Sequence, residues 1–423
     1  MEWLQLRAGS IRVPFYRLSS RTMNQKLKAL LDAFPVPHDI ADECQKLNTA
    51  QQRALANFLH YEIVGGDGFL LRDKSEMDFY QFNHGLNELV ARILALRYPM
   101  PELPELSPIF GELGTLAEAV KTLRTHGYLV ADRKLPVSTL AAVRDEIGKF
   151  SFYEKRPGAT LRSGEELYAL GASGERLESG TFWLRDLDQA THSELLGSLA
   201  FDPYILAMVT QYFGCTPVHV QTNTWLSFAG KGDKSQLSSS AQLYHQDKEF
   251  TKFLKVFIYL TDVGADNGPH CYVDGSHIDE LFTRGVPFST RLTDDEVLKY
   301  FDANRLKSVT GPAGTIIFGD TSAVHKGLPV TGGYRCILQF EYAASLYMSP
   351  IEPFPDLPVA RLEAIRQRDI STRLVQNYDS AARDRYRGFA NTSKSASIMD
   401  RVRSRIQQQI VMPWKLRRLK RVA

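Results

Sequence analysis

Between about residue 217 and residue 343 the chain is a succession of short apolar and aromatic runs: VHVQTNTWLSF, FLKVFIYLTDV, CYVDG, AGTIIFGD and YRCILQFEYA. Each is bounded by Gly, Asp, Asn or Pro. Runs this short and this rich in β-branched and aromatic residues read as strands rather than packed helices. No βαβ rhythm, GxGxxG or P-loop interrupts them, so the strands have to pair largely with one another. Their spacing suits a double-stranded β-helix (jelly-roll) core or a similar barrel. With helical patterning on both sides, the class is α+β, a jelly-roll core with flanking helices.

Residues 20–98 carry apolar side chains at three- and four-residue spacing in KLKALLDAF, QQRALANFLHYEI and GLNELVARILALRY, which predicts helices. Four prolines between Pro99 and Pro108 end that pattern and mark a linker. The expected organisation is a mainly helical region over 1–105, a jelly-roll domain over 113–348 and a helical, basic extension over 349–423. Within the second unit, Thr115 and Glu118 fit a capping box, and Gly127 fits the position past the helix end. A strand (GYLVAD) and a second helix (LAAVRDEIGKF) follow. The polar, Gly-rich stretch from Glu154 to Gly180 reads as a surface loop of the kind that forms lids.

Composition removes several function classes. With 43% hydrophobic and 23% charged residues and no apolar run of bilayer length, nothing reads as membrane-spanning. The first residues lack a charged and then apolar leader, and the four widely spaced cysteines form no pairing pattern. Both point to a soluble, cytoplasmic protein without disulfides or structural zinc. A net charge of +3 does not call for nucleic acid. The exception is the tail from Arg401 to Ala423, which holds eight Arg or Lys and no acid. With Trp414, Leu416 and Leu419 interleaved, it is compatible with peripheral contact to an anionic membrane or an acidic partner, although a solvated terminus is the plainer reading.

One constellation carries chemistry. In AQLYHQDKEF, His245 and Asp247 are separated by one residue, so on an extended segment both side chains project to the same face. A single HxD arises often by chance, and a lone histidine is more often packed than ligating. His325, in GDTSAVHKG, supplies a third candidate, and two imidazoles with one carboxylate form the facial triad of non-haem Fe(II) oxygenases. Arg335 lies ten residues further on the next apolar strand, where its guanidinium could hold the far carboxylate of a 2-oxo acid.

Several segments, in order, resemble the phytanoyl-CoA dioxygenase family of Fe(II)/2-oxoglutarate oxygenases. LRTHGYLVADRKLPVSTLAAVRDEI is similar to the family's opening helix, strand and helix, and YHQD to its HxD block. DNGPHCYVDGSH and GTIIFGDTSAVHKGLPVTGGYRCILQFEY are similar to its glycine turn and its second-histidine and arginine block. The resemblance spans about residues 113–348. It implies Fe(II) held by His245, Asp247 and His325, with 2-oxoglutarate as cosubstrate anchored by Arg335, and O₂ as the oxidant. Asn223, on QTNTWLSF with Gln221 and Trp225 on one face, would be a further cosubstrate contact or an ordinary strand amide.

The implied activity is hydroxylation of an unactivated C–H in a small-molecule or acyl-, carrier- or lipid-linked substrate, with release of succinate and CO₂. Halogenation would need a halide in place of the carboxylate ligand, and Asp247 speaks against it; desaturation and cyclisation stay open beside hydroxylation. The alternative from another class is a jelly-roll binding module that has lost catalysis. Asn267 and Gly268 read as a turn, His270 and His277 as residues outside the ligand set, and Phe257 and Tyr259 as core or pocket lining. An insertion between His277 and Thr310 falls outside the family pattern and looks helical at its middle. Its Arg284 and Arg291 could pair with an anionic substrate or stay solvated.

Overall fold

The computed structural model describes residues 20–34, 36–64, 81–154, 160–174, 180–230, 241–278, 281–286, 290–347 and 373–378. Helices and antiparallel sheets are mixed. The strands among these residues are β1 (Leu106–Ser107), β2 (Gly111–Glu112), β3 (Tyr128–Lys134), β4 (Ser151–Glu154), β5 (Arg162–Ser163), β6 (Thr181–Leu184) and β7 (Val218–Phe228). They continue with β8 (Phe253–Tyr259), β9 (His270–Val273), β10 (Leu306–Val309), β11 (Thr315–Gly319), β12 (His325–Gly327) and β13 (Tyr334–Ala343). Eight of them form one sheet in the order β3-β11-β8-β13-β7-β6-β4-β5, and three form another in the order β10-β9-β12. The five runs expected as strands are β7, β8, β9, β11 and β13.

Side chains alternate between the faces of a strand, and at the centre of the large sheet both faces are covered. That is why FLKVFIY is buried at every position and YRCILQFEYA at all but the first. Leu254, Val256 and Ile258, with Cys336, Leu338 and Phe340, pack on the main core with the helices. Phe257, Tyr259 and Ile337 turn the other way and cluster with Tyr272 and Val309 of the small sheet, so an interior lies between the two sheets. Register builds this interior in layers. Asn223 is opposite Gln339, which is opposite Phe257; Gln221 is opposite Glu341, which is opposite Lys255.

The helices expected over 20–98 are present as Ser20–Ala33, His38–Lys46, Thr49–Val64 and His84–Arg97. They share the main core with the sheet rather than packing only on one another. Phe58 and Tyr61 each lie 5.4 Å, centroid to centroid, from the ring of Tyr347, just past β13. Arg373 pairs with Glu62 at 3.1 Å, both almost fully buried, and Ser345 donates to the same carboxylate. The proline-rich stretch is irregular up to β1, as its composition predicts, but it is pinned: Thr216 N–H donates to the Tyr98 carbonyl and Ser107 to Asp202.

Two local expectations are corrected. The capping box at Thr115 and Glu118 does not form, because the helix runs from Ala117 to His126 with Leu116 at its N-cap and no side-chain cap. Leu116 is buried, so apolar packing sets that start. Gly127 does end this helix, at φ +79°. The stretch from 154 to 180 is not wholly loop: it contains β5 and a helix, Gly164–Ser173, opened by a reciprocal cap between Ser163 and Glu166. The insertion after His277 is helical at its middle, as expected, over one short α-helix among the described residues, Asp294–Val297.

Cys44, Cys215, Cys271 and Cys336 are free and buried. Among the described residues no helix is long and apolar enough to cross a membrane. The basic tail and almost all of the expected C-terminal extension lie outside the described residues.

Candidate metal centre

His245 sits on a segment held by isolated bridges rather than in a continuous ladder. Its backbone exchanges two hydrogen bonds with that of His325 on β12, at 2.9 and 2.8 Å. This pairing sets the two rings 4.3 Å apart. Each ring turns its Nδ1 to a backbone carbonyl two residues earlier: His245 to Leu243 at 2.8 Å and His325 to Ala323 at 2.9 Å. Such a bond fixes the tautomer and leaves Nε2 with its lone pair free for a metal.

Both Nε2 atoms converge on one carboxylate. His245 Nε2 lies 3.5 Å and His325 Nε2 3.6 Å from oxygens of Asp247. Asp247 is itself placed by its backbone N–H, which donates to the Thr321 carbonyl at 2.8 Å. Ligand atoms of the three residues all lie within 4.8 Å of one another, so one ion could touch all three.

Electrostatics keep the set in its ligating form. Burial, then the neighbouring His325, pushes His245 down to about 3, and burial lowers His325 as well, so both imidazoles are driven toward the neutral form. Burial works against the Asp247 charge, but Lys255 and the two histidines outweigh it and hold the carboxyl well below its usual range. Lys255 is the residue that sequence reasoning missed. Its buried ammonium lies 2.9 Å from Asp247 Oδ2, 2.8 Å from Glu249 and 3.9 Å from Glu341. A lysine in the otherwise apolar run FLKVFIY was the available signal, since a buried cation needs acidic partners.

Arg335 is 3% exposed, and its Nε and Nη1 have no hydrogen-bond partner. Its guanidinium lies over Gly327 on β12, where a Cβ would come 3.1 Å from Nη2. Gly327 is two residues past His325, so the cation and the triad open onto the same interior. Along β9, His270 stands opposite Gly327 and Tyr272 opposite His325. His270 is buried against the Phe257 ring at 4.4 Å, with its Nδ1 unpartnered. Asn223 belongs to this interior by register, although its Oδ1 accepts from the Thr224 N–H at 2.8 Å.

Other candidates have structural surroundings. His277 Nε2 bonds the Arg124 carbonyl at 2.9 Å, and its ring fills the space beside Gly127. Asn267 holds a turn through Gly264 N–H and the Gly332 carbonyl, each at 2.9 Å. Tyr259 donates to the Val309 carbonyl and accepts from the His270 N–H. Arg284 donates to the Tyr300 carbonyl and lies over the Phe301 ring. Arg291 differs: Tyr244 bridges to Leu292, so Arg291 follows as neighbour to His245, and its cation interacts with Asp247.

The family model for phytanoyl-CoA dioxygenase matches residues 123–336, just over half of the chain. A search of curated proteins finds no match. Among solved structures, the chain is similar to the non-heme alpha ketoglutarate dependent epimerase SnoN from nogalamycin biosynthesis. Identity is 19% over 54% of this chain and 81% of that one, with a TM-score of 0.36. HygX from Streptomyces hygroscopicus, with nickel, 2-oxoglutarate and hygromycin B bound, is 16% identical over 55% and 88% of the two chains (TM-score 0.37). EctD from S. alaskensis with bound Fe is 16% identical over 59% and 89% (TM-score 0.37).

Proposed function

The chain belongs to the phytanoyl-CoA dioxygenase family, and from that premise we propose that it is an Fe(II)- and 2-oxoglutarate-dependent dioxygenase. Its iron is held by His245, Asp247 and His325, its cosubstrate carboxylate by Arg335, and its core is a double-stranded β-helix. The observation that carries this reading is the buried guanidinium of Arg335, whose Nε and Nη1 have no partner, over Gly327 two residues past the triad's His325. An unpaired buried charge is strongly unfavourable; a dianionic cosubstrate supplies the missing partner. Two neutral imidazoles and one carboxylate suit Fe(II) and leave coordination positions open. They match neither the thiolate-rich sets of structural zinc nor the all-oxygen sets of calcium.

When bound, iron with 2-oxoglutarate and O₂ supplies the oxidising power, with succinate and CO₂ as coproducts. The protein's own residues do the rest. Leu243 and Ala323 carbonyls orient the ligating rings, and Lys255 occupies one oxygen of Asp247. Arg335 fixes the far end of the cosubstrate, so that its keto acid end meets the metal in one orientation. Asn223 lines the same space as a further contact. The apolar walls from Phe257, Tyr272 and Ile337 exclude water. Hydroxylation of an unactivated C–H is the reaction we assign; Asp247 fills the position a halide would need and so speaks against halogenation, while desaturation and cyclisation are the other outcomes open to the same oxidant.

The substrate we assign is a small molecule or an acyl- or carrier-linked one, admitted where the insertion after His277 packs beside Tyr244. The division into 1–105, 113–348 and 349–423 stands as our proposed organisation, and the buried free thiols support a cytoplasmic setting. The test is succinate formation from 2-oxoglutarate, Fe(II) and O₂. Asp247→Ala should abolish it while circular dichroism stays unchanged. Undiminished succinate release by that variant would remove Asp247 from the ligand set.

A further inference from the structure

We propose that His270 is a second binding residue for the distal carboxylate of the cosubstrate, standing beside Arg335; the inference rests on the function proposed above. The placement follows from register. His270 and Gly327 are directly opposed across β9 and β12, and the missing side chain of Gly327 makes the space in which the Arg335 guanidinium lies. Residues paired this way put their side-chain directions on one face at about 5 Å. The imidazole of His270 and the guanidinium of Arg335 therefore share a wall of the interior. Tyr272, two residues on and opposite His325, continues that wall to the triad.

Chemistry supplies the second argument. His270 is 6% exposed and its Nδ1 has no hydrogen-bond partner; Arg335 is 3% exposed and two of its nitrogens have none. Buried polar groups are normally satisfied, so two neighbouring exceptions call for one explanation. The two side chains cannot serve each other fully, since the lone pair of one imidazole nitrogen accepts at most one guanidinium N–H and Arg335 has two nitrogens without a partner. A carboxylate between them accepts from both: two N–H groups of Arg335 on one side and the imidazole N–H on the other. If His270 were only filling space against Phe257, a leucine or phenylalanine would do so without an unmet polar atom.

The experiment is a calorimetric titration of 2-oxoglutarate into Mn(II)-loaded, full-length protein, comparing wild type with His270→Phe, His270→Ala and His270→Gln. His270→Phe and His270→Ala should each weaken 2-oxoglutarate binding by at least about tenfold, the loss of one hydrogen bond to a charged group. Mn(II) affinity should not change. His270→Gln, which keeps a donor, should recover to within a few-fold of wild type. Wild-type affinity in both His270→Phe and His270→Ala would overturn the proposal. So would an equal loss of Mn(II) affinity, which would mean that His270 supports His325 instead. Wild-type protein that binds Mn(II) but no 2-oxoglutarate would refute the proposed function itself, and this inference with it.

Discussion

Replacing Arg335 by Met should separate the fold from the cosubstrate in a single variant. In the ligand-free protein the guanidinium is buried with Nε and Nη1 unpartnered, so it contributes little and costs desolvation. Exchange of a buried charge for a well-packed apolar side chain is commonly neutral or stabilising by about 1–4 kcal/mol. With 2-oxoglutarate present the sign reverses. Two charge-assisted hydrogen bonds at about 1.5–3 kcal/mol each are lost, which lowers affinity by about a hundredfold or more. At a concentration 100 times the wild-type Kd, the ligand stabilises wild type by about 2.7 kcal/mol. The variant, then near its own Kd, gains only about 0.4 kcal/mol. Urea unfolding in Mn(II), with and without 2-oxoglutarate, measures both quantities. An undiminished ligand-induced gain in Arg335→Met would refute the reasoning, as would a loss of several kcal/mol in the ligand-free state.

Lys255→Met should lower Fe(II) affinity by about 10–100-fold, the usual effect of removing a partner that orients a metal ligand; competition with a chromophoric chelator reads it, and an unchanged Kd would exclude Lys255 from that role. His219, buried and bonded to Tyr378 at 2.7 Å, is pushed by burial from its usual 6.5 down to about 3. A folded-state value below the unfolded one means stability is complete above about pH 6.5 and is lost as pH falls toward 3. For this one group the slope is about 1.4 kcal/mol per pH unit. His219→Asn should flatten the fall between pH 6 and pH 4.5 by about one proton in urea unfolding series, and an identical slope would show that His219 is not the group responsible.

Much of the site was legible because its signals are local. The one-residue spacing of His245 and Asp247, and the positions of His325 and Arg335 on the last strands, survive translation into three dimensions: strand pairing between His245 and His325 brings the far ends together. The five aromatic runs became strands for the same reason, since period-two burial on a sheet covered on both sides needs continuous apolar residues. What was not legible depends on long-range partners. The role of Lys255 exists only because Asp247, Glu249 and Glu341 arrive from other segments. The contacts of Phe58, Tyr61 and Glu62 with residues past β13 likewise join segments at least 283 residues apart. The helix Gly164–Ser173 lay in a stretch whose glycines and charges masked a genuine Ser163–Glu166 cap, while Thr115 offered a cap that the burial of Leu116 displaced by one position.

The central claim is that one ferrous ion sits among three side chains drawn from two distant segments. Anomalous diffraction at the iron edge, from crystals loaded anaerobically with Fe(II) and 2-oxoglutarate, tests it most directly. The account predicts a single strong peak bounded by Nε2 of His245, Nε2 of His325 and an oxygen of Asp247, with cosubstrate density running from the metal to Arg335. A peak elsewhere, or none at stoichiometric loading, would contradict it.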